Sequence, residues 1–331
     1  MWRREPDAPV QNVRFSIYPE PGSAFATSTG SVVAPQFVLS PDGRHLVYVA
    51  TSEGPQRLWV RTLDALAASS LEGTEGASQP FWSPDSRSIG FFAQGKIKVI
   101  QLGGGLPVVR GEGGAGGDTR GGAWATDGTI LITLTSTAGL SRLASDGSLQ
   151  PVVSSLASGN PPMDRFPWVL ADGKHFVFVH RDRDPNLRGI YLASLESNAR
   201  TRLTEGDWGP VAVDDHLLYL RGPALMAQPL KVQERRLTGE PVVLLKNVAS
   251  TTAGNMAASV SHTGTIAYAD PWPISGELIW FSRDGSPLGR PVAPLGDYVT
   301  LTLSPDGSRV AFSRVDPQTG TADIWLAEAE G

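Results

Sequence analysis

The stretch GEGGAG, Gly111–Gly116, has the G-x-G-x-x-G spacing with which glycines admit a dinucleotide pyrophosphate to a helix N-terminus. That chemistry needs a helix directly afterwards, and DTRGGAW leads into a strand-like segment instead, so the stretch reads as a loop. DRDPNLRG, Asp182–Gly189, opens like a calcium loop with D-x-D-x-N. Its sixth position is Leu187 and its twelfth Ala193, where such a loop needs Gly and a bidentate Glu. A nucleophilic serine needs a strained elbow of the G-x-S-x-G type, and that pentapeptide does not occur in the chain. With no cysteine there is no thiolate and no cysteine metal site. Of the five histidines, His45 and His175 share one place after a recurring turn and His262 lies inside another, which makes them products of repetition. No catalytic residue, metal site or cofactor is therefore expected.

The repetition has a visible unit. SPDGRHLVYVA at Ser40, SPDSRSIGFFA at Ser83 and SPDGSRVAFSR at Ser304 repeat one pattern, and degenerate copies begin at Ala125, Leu170, Val213 and Ser261. The starts lie 43, 42, 45, 43, 48 and 43 residues apart, which is the period of a propeller blade. SPDG suits a type I turn, with Ser first, Pro fixing φ at the second position and Gly fourth. The segments after it (HLVYVA, SIGFFA, RVAFS) are short and rich in β-branched and aromatic residues, hence strands. A third segment (RLWVRTLD, KIKVIQL, GIYLASLE, ELIWFSRDG, DIWLAEAEG) and a more variable fourth complete four antiparallel strands per unit. The ring of carboxylates Asp42, Asp85, Asp127, Asp172 and Asp306 follows from the turn register alone.

The expected fold is an all-β, seven-bladed β-propeller of four-stranded antiparallel blades. Residues 1–10 form a polar N-terminal arm and residues 11–331 a single propeller domain. The last unit stops after its third strand, and the unassigned NVRFSIYP, Asn12–Pro19, is expected to supply the missing outer strand and close the ring. High glycine (37) and proline (26) agree with many tight turns. A net charge of −5 argues against nucleic acid, whose phosphates require a basic face. No apolar run reaches the roughly 20 residues of a membrane span, so no membrane insertion by this segment is expected.

The blades SPDGRHLVYVA, QPFWSPDSRSIGFFAQGKIKVIQLGGG and LSPDGSRVAFSRVDPQTGTADIWL resemble the TolB-like, WD-repeat-like propeller family. RGGAW, RFPWVLADGKHFVFV, RGIYLASLE, LMAQPL and LTGEPV are most similar to the C-terminal extracytoplasmic propeller region of bacterial membrane-anchored serine/threonine protein kinases. The resemblance implies a noncatalytic sensor or interaction domain in an extracytoplasmic or periplasmic setting. The alternatives are an accessory propeller of a serine peptidase and a free TolB-like periplasmic scaffold.

In a propeller one rim is built from loops joining second to third strands and fourth strands to the next blade. Trp208 and Trp272 fall in such loops, whereas Trp59, Trp82, Trp124, Trp168, Trp280 and Trp325 fall in or beside strands and read as packing. The same rim is expected to carry Arg120, Asp164, Arg165, Arg181, Asp182, Arg183, Asp207, Asp270, Asp297 and Tyr298. Mixed charge with exposed aromatics suits a surface that binds a protein, peptide or small ligand there or in the central channel of a monomer.

Overall fold

The recurring turn is held by its own side chains. Ser40 Oγ donates to Asp42 Oδ1 at 2.5 Å and accepts from the His45 amide at 2.9 Å, while the Gly43 amide donates to the Ser40 carbonyl at 2.9 Å. Ser83 and Asp85 repeat the arrangement, with Ser83 Oγ donating to Asp85 Oδ1 at 2.6 Å and accepting from Ser88 N at 2.9 Å. Ser304 Oγ likewise donates to Asp306 Oδ1 at 2.5 Å and accepts from Arg309 N at 3.0 Å. Each turn therefore fixes where its second strand starts. Turns also bond to one another: the Asp42 amide donates to Ser86 Oγ of the next unit at 3.1 Å.

The computed structural model describes residues 13–26, 34–114, 118–144, 146–152, 163–251, 253–271, 276–315 and 322–328. Its regular structure is all-β, with one short 3-10 turn at Pro185–Leu187 among the described residues. The second blade runs Ser78–Trp82, Ser88–Ala93, Lys96–Gln101, Val108–Glu112, each strand antiparallel to the next. The third (Gly122–Trp124, Ile130–Ile132, Ser141–Leu143, Leu149–Pro151) and fourth (Met163–Val169, His175–Arg181, Gly189–Ser194, Ser197–Thr204) repeat that order. The first and fifth each have five strands, because Ala24–Phe25 joins Phe37–Leu39 along one edge of His45–Thr51, and Arg236–Leu237 joins Val242–Leu245 along Ala224–Lys231.

Second strands are apolar on both sides because a blade is covered by a neighbour on each face. Phe176, Val177, Phe178 and Val179 are all at 0% exposure. Phe176 and Phe178 pack with Leu131 and Leu140 of the third blade, and Val177 packs with Leu217 and Tyr219 of the fifth. Val47, Val49 and Leu58 meet Ile89 and Phe91 in the same way between the first two blades. Burying one such side chain contributes about 1.5–3 kcal/mol, against about 1 kcal/mol for a typical hydrogen bond, so packing between blades outweighs the turns that place them.

The inner strands lie side by side in chain order, from Phe37–Leu39 through those of the second, third and fourth blades to Val211–Val213 and Ala258–Val260, and the last of these lies against Phe37–Leu39. At this junction the Leu39 amide donates to Ser259 Oγ at 2.9 Å, the His262 amide to the Pro41 carbonyl at 2.9 Å, and Ala267 packs on the cluster of Leu39, Leu46 and Tyr48. Six units thus surround the centre, and the seventh is not inserted between the sixth and the first.

The expected seven-bladed ring closed by the N-terminal strand is not seen among the described residues. Residues 13–19 form no strand; Ile17 packs against the first blade, and Glu20 Oε1 accepts from the Ala68 amide at 2.6 Å. Residues 1–12, which include the expected polar arm, lie outside the described residues. The seventh turn belongs to a separate four-stranded sheet, Gly276–Phe281, Pro287–Leu303, Arg309–Val315, Ala322–Glu328. Its second strand runs unbroken for 17 residues through what the repeat divides into a fourth strand and the following first strand. The sixth blade keeps only Ala258–Val260 and Ile266–Tyr268, because the expected third strand, Gly276–Phe281, pairs with Pro287–Leu303 instead.

Candidate functional site

The six inner strands enclose a channel of about 180 Å³ whose lining includes Phe37, Phe81, Trp82, Trp124, Trp168 and Met256. Two of these tryptophans are pinned by their indole N–H: Trp82 Nε1 donates to the Val38 carbonyl at 3.2 Å and Trp168 Nε1 to the Ala212 carbonyl at 3.0 Å. Each joins its blade to a neighbour while offering an apolar surface. Pro41, Pro84, Thr126, Ala171 and His262 line the end nearest the turns.

The rim end is filled by Phe166, 9% exposed and held at φ 50° just ahead of Pro167. The same register in the third blade is Gly121, at φ 90°, and in the second blade Gln79, at φ 48° before Pro80. Positive φ is costly for a bulky residue and persists where surroundings fix it. Here they do: a Cβ on Gly121, Gly209 or Gly254 would come within 3.0, 2.4 and 3.4 Å of Phe166. Loops entering the third, fifth and sixth blades thus leave space for one aromatic ring supplied by the fourth.

Directly above this ring the structure gathers four of the expected rim residues. Arg165, 7% exposed, donates from Nη1 to the Ala253 carbonyl at 2.9 Å and from Nη2 to the Ser136 carbonyl at 2.7 Å. Ser136 in turn donates its amide (2.9 Å) and hydroxyl (2.7 Å) to Asp118 Oδ2, whose Oδ1 pairs with Arg120. Arg181 Nη2 donates to the Asp207 carbonyl at 2.9 Å, and the Gly209 amide donates to the Gly254 carbonyl at 2.8 Å. The charges act on one another. Burial, then the proximity of Arg181 and Arg120, brings the Arg165 guanidinium down to about 10. Arg181 is lowered by burial, which outweighs the opposing pull of Asp207. Burial would raise the Asp118 carboxyl, but the Ser136 bonds and Arg120 hold it below the ordinary range.

Asp164 and Asp182 are not on the surface. Asp164 Oδ1 lies 2.6 Å from His180 Nδ1 and 3.7 Å from Arg200 Nη1, and Asp182 Oδ2 lies 3.6 Å from His180 Nε2. His180 packs edge-on to Tyr191, over whose ring the Arg200 guanidinium sits at 5.6 Å. This charged network is buried inside the fourth blade and does not line the channel. Asp182 also accepts from the Asp184 amide through Oδ1 at 2.9 Å and from Arg188 Nε through its carbonyl at 2.6 Å, which makes it the organiser of its loop.

The remaining expected residues are dispersed. Arg183 and Asp270 are exposed and stand outside the cluster. Trp208 is no free rim aromatic, since it packs against the cluster of Val211, Leu225, Met256 and Val260. Tyr298 meets Phe312 edge-on at 5.2 Å in the separate last sheet, where the backbone of Asp297 pairs with Val315. Trp272 lies outside the described residues.

The sequence reading missed Phe166, Asp118, Ser136, His180 and Arg200. One signal was available: Arg120 in RGGAW and Arg165 in RFPW hold the same place in their blades, one residue before the positive-φ position. His180 is the penultimate residue of a strand, HFVFVHR, that is buried on both faces, and its cross-strand neighbour there is Asp164.

No protein-family model and no curated protein sequence matches the chain. In structure it is similar to TolB from Acinetobacter baumannii, with a TM-score of 0.52 and 16% identity, over 67% of this chain and 56% of that one. The chain thus spans little more than half the length of that relative. It is also similar to a functionally unknown protein from Desulfotomaculum acetoxidans, with a TM-score of 0.50 and 13% identity, over 79% of this chain and 86% of that one. A gluconolactonase from Xanthomonas campestris is similar with a TM-score of 0.47 and 14% identity, over 93% of this chain and 98% of that one. At such identities the likeness is one of fold, and the fold is a β-propeller.

Proposed function

We propose that the chain is a noncatalytic propeller that binds a ligand or protein at its channel and rim, as the sensor or interaction domain of a bacterial kinase-type receptor working outside the cytoplasm. The observation that carries the binding reading is the channel itself. Its walls are aromatic and apolar, and a polar arginine cluster stands beyond one end. That combination of apolar surface with a few convergent polar groups is typical of ligand sites. The noncatalytic part is supported by how the polar groups are engaged. The Ser136 hydroxyl is bound to Asp118, and His180 is enclosed between Asp164, Asp182 and Tyr191. The receptor context rests on the resemblance of the blade motifs. A second reading, a free TolB-like periplasmic scaffold, draws on the likeness in fold to TolB.

The test is ligand-observed NMR with indole as an apolar probe of the channel. Indole is expected to bind saturably, and Ala123→Leu, which puts a larger side chain into the channel wall, is expected to abolish binding. Peptide and ester substrates are expected to show no turnover above buffer. Saturable hydrolysis removed by a single serine substitution would overturn the noncatalytic reading, and indole binding unchanged by Ala123→Leu would overturn the channel as the site. The reading frame on both sides of the 331 residues separates the receptor from the scaffold: a kinase domain and membrane helix upstream support the first, a signal peptide the second.

A further inference from the structure

Arg165 is a cation bonded to neutral groups, with Asp118 acting on it only at a distance. It is more than nine-tenths buried, both of its bonded partners are neutral backbone carbonyls, and among the described residues no carboxylate lies within ion-pair distance of it. Its neighbours differ in this respect: Arg120 is paired with Asp118, and Arg181 is attracted by Asp207. With Arg188 also acting on Arg181, the cations at the rim end of the channel outnumber the carboxylates Asp118 and Asp207 that act on them. Arg120 Nε and Arg165 Nε are also buried and donate to nothing among the described residues. A buried, unpaired guanidinium is costly, and unmet donors of this kind call for an acceptor.

From this placement we infer that the rim end of the channel is a carboxylate-binding site, in which Arg165, flanked by Arg120 and Arg181, receives one carboxylate group of a ligand. The inference rests on the binding reading above and names the chemistry of what is bound. A carboxylate accepts through two oxygens and takes charge-assisted bonds roughly twice as strong as those to a neutral carbonyl, so it competes for the donors now given to Ala253 and Ser136. Arg120, with 16% of its side chain exposed, and Asp118, with 41%, form the solvent side of the site. A small carboxylic acid and a peptide C-terminus share this chemistry.

The experiment uses the whole chain, melted in sodium acetate and in sodium chloride at matched ionic strength near pH 7. Two tetrapeptides, identical except for a free or an amidated C-terminus, provide the second arm. Acetate or the free-acid peptide is expected to raise the melting temperature saturably beyond chloride, with the amide inactive. The arm giving the larger shift identifies a small acid or a peptide terminus as the source of the carboxylate. Arg165→Gln is expected to weaken the response by about tenfold or more, as for loss of a charged hydrogen bond. Should Arg165→Gln not fold, Arg120→Gln at the solvent side provides the same test and should also bind more weakly. Identical melting in acetate, free-acid peptide, amide and chloride overturns the site, and so does a full response in the folded variant. If that negative result comes with indole binding intact, the carboxylate site alone falls; loss of indole binding as well removes the binding reading.

Discussion

Phe166 and the three glycines around it decide how one end of the channel is filled, and the fit leaves no room for a methyl group on Gly209. Gly209→Ala would place a Cβ 2.4 Å from that of Phe166 and is expected to cost about 1–3 kcal/mol in urea unfolding, as overpacking does. Gly103, with nothing within 4 Å of its Cβ position and no positive φ, is the control; Gly103→Ala should stay within about 0.5 kcal/mol. Equal effects at the two positions would show that Phe166 yields easily. At this scale the sequence was informative about polarity and poor about orientation. Arg120, Arg165, Arg181 and Asp207, expected near one another from their positions in the repeat, are brought together at one end of the channel. Asp164 and Asp182 were misplaced because exposure in a loop or at a strand end depends on where the side chain turns. Here both turn inward to His180, which the sequence treats as one more strand residue. Trp208 shows the same failure in an apolar side chain, a loop residue drawn against a core cluster formed from the next two blades.

Among the elements, the self-bonded turn is the one best read from its letters, because the bonds that close it lie within five residues. It also carries a pH dependence. The hydroxyl of Ser304, then the amide and hydroxyl of Ser308, hold the Asp306 carboxyl down to about 2, and Ser83 with the Arg87 amide lowers Asp85. A carboxyl depressed in the folded state stabilises above its unfolded value of about 3.9, and that contribution is lost as pH falls toward the folded value. Stability should therefore decline between about pH 4 and pH 2, and Asp306→Asn should flatten its share of the decline in urea midpoints taken across that range. An unchanged acid limb would show that the turn is equally formed in the unfolded chain. Strand partners were less legible. ELIWF has the composition of a third strand wherever it pairs, and Gly289, Pro291, Pro294 and Gly296 mark a break that the continuous strand Pro287–Leu303 does not make, so neither these letters nor the repeat period says which sheet receives either segment.

For the molecule as a whole, the period made the blade-like repeat legible but carried no information on how the units meet. Closure depends on the angle between neighbouring sheets, which is set by side-chain volume between blades and not by the spacing of turns. The observed junction predicts that a chain ending at residue 275 keeps its channel, since the first and sixth blades already meet through Leu39, Pro41, Ser259 and His262. Amide exchange of Ile89, Phe91, Val177 and Val179 should be unchanged by that truncation. Faster exchange throughout these buried strands would mean that the last sheet supports the ring. The same sheet leaves Ile324 at 83%, Leu326 at 69% and Leu301 at 62% exposure, an apolar surface of the kind that promotes association, so the shorter chain should also be the more soluble.

The junction between the sixth and first blades has a mechanical consequence. Every other pair of neighbouring blades within the six is tied by the chain itself, whereas this pair is tied, among the described residues, by hydrogen bonds to Ser259 and Pro41 and by apolar contact of Ala267 with Leu39 and Tyr48 and of Ala249, Ala257 and Ala269 with Ala34 and Phe37. A pull that separates residue 34 from residue 271 loads that seam directly, while the other interfaces share the strain with covalent links. The ring is thus a band with a clasp: tension transmitted from either side would part it at one place, open the aromatic channel along its length, and leave the inner strands of the remaining blades still side by side.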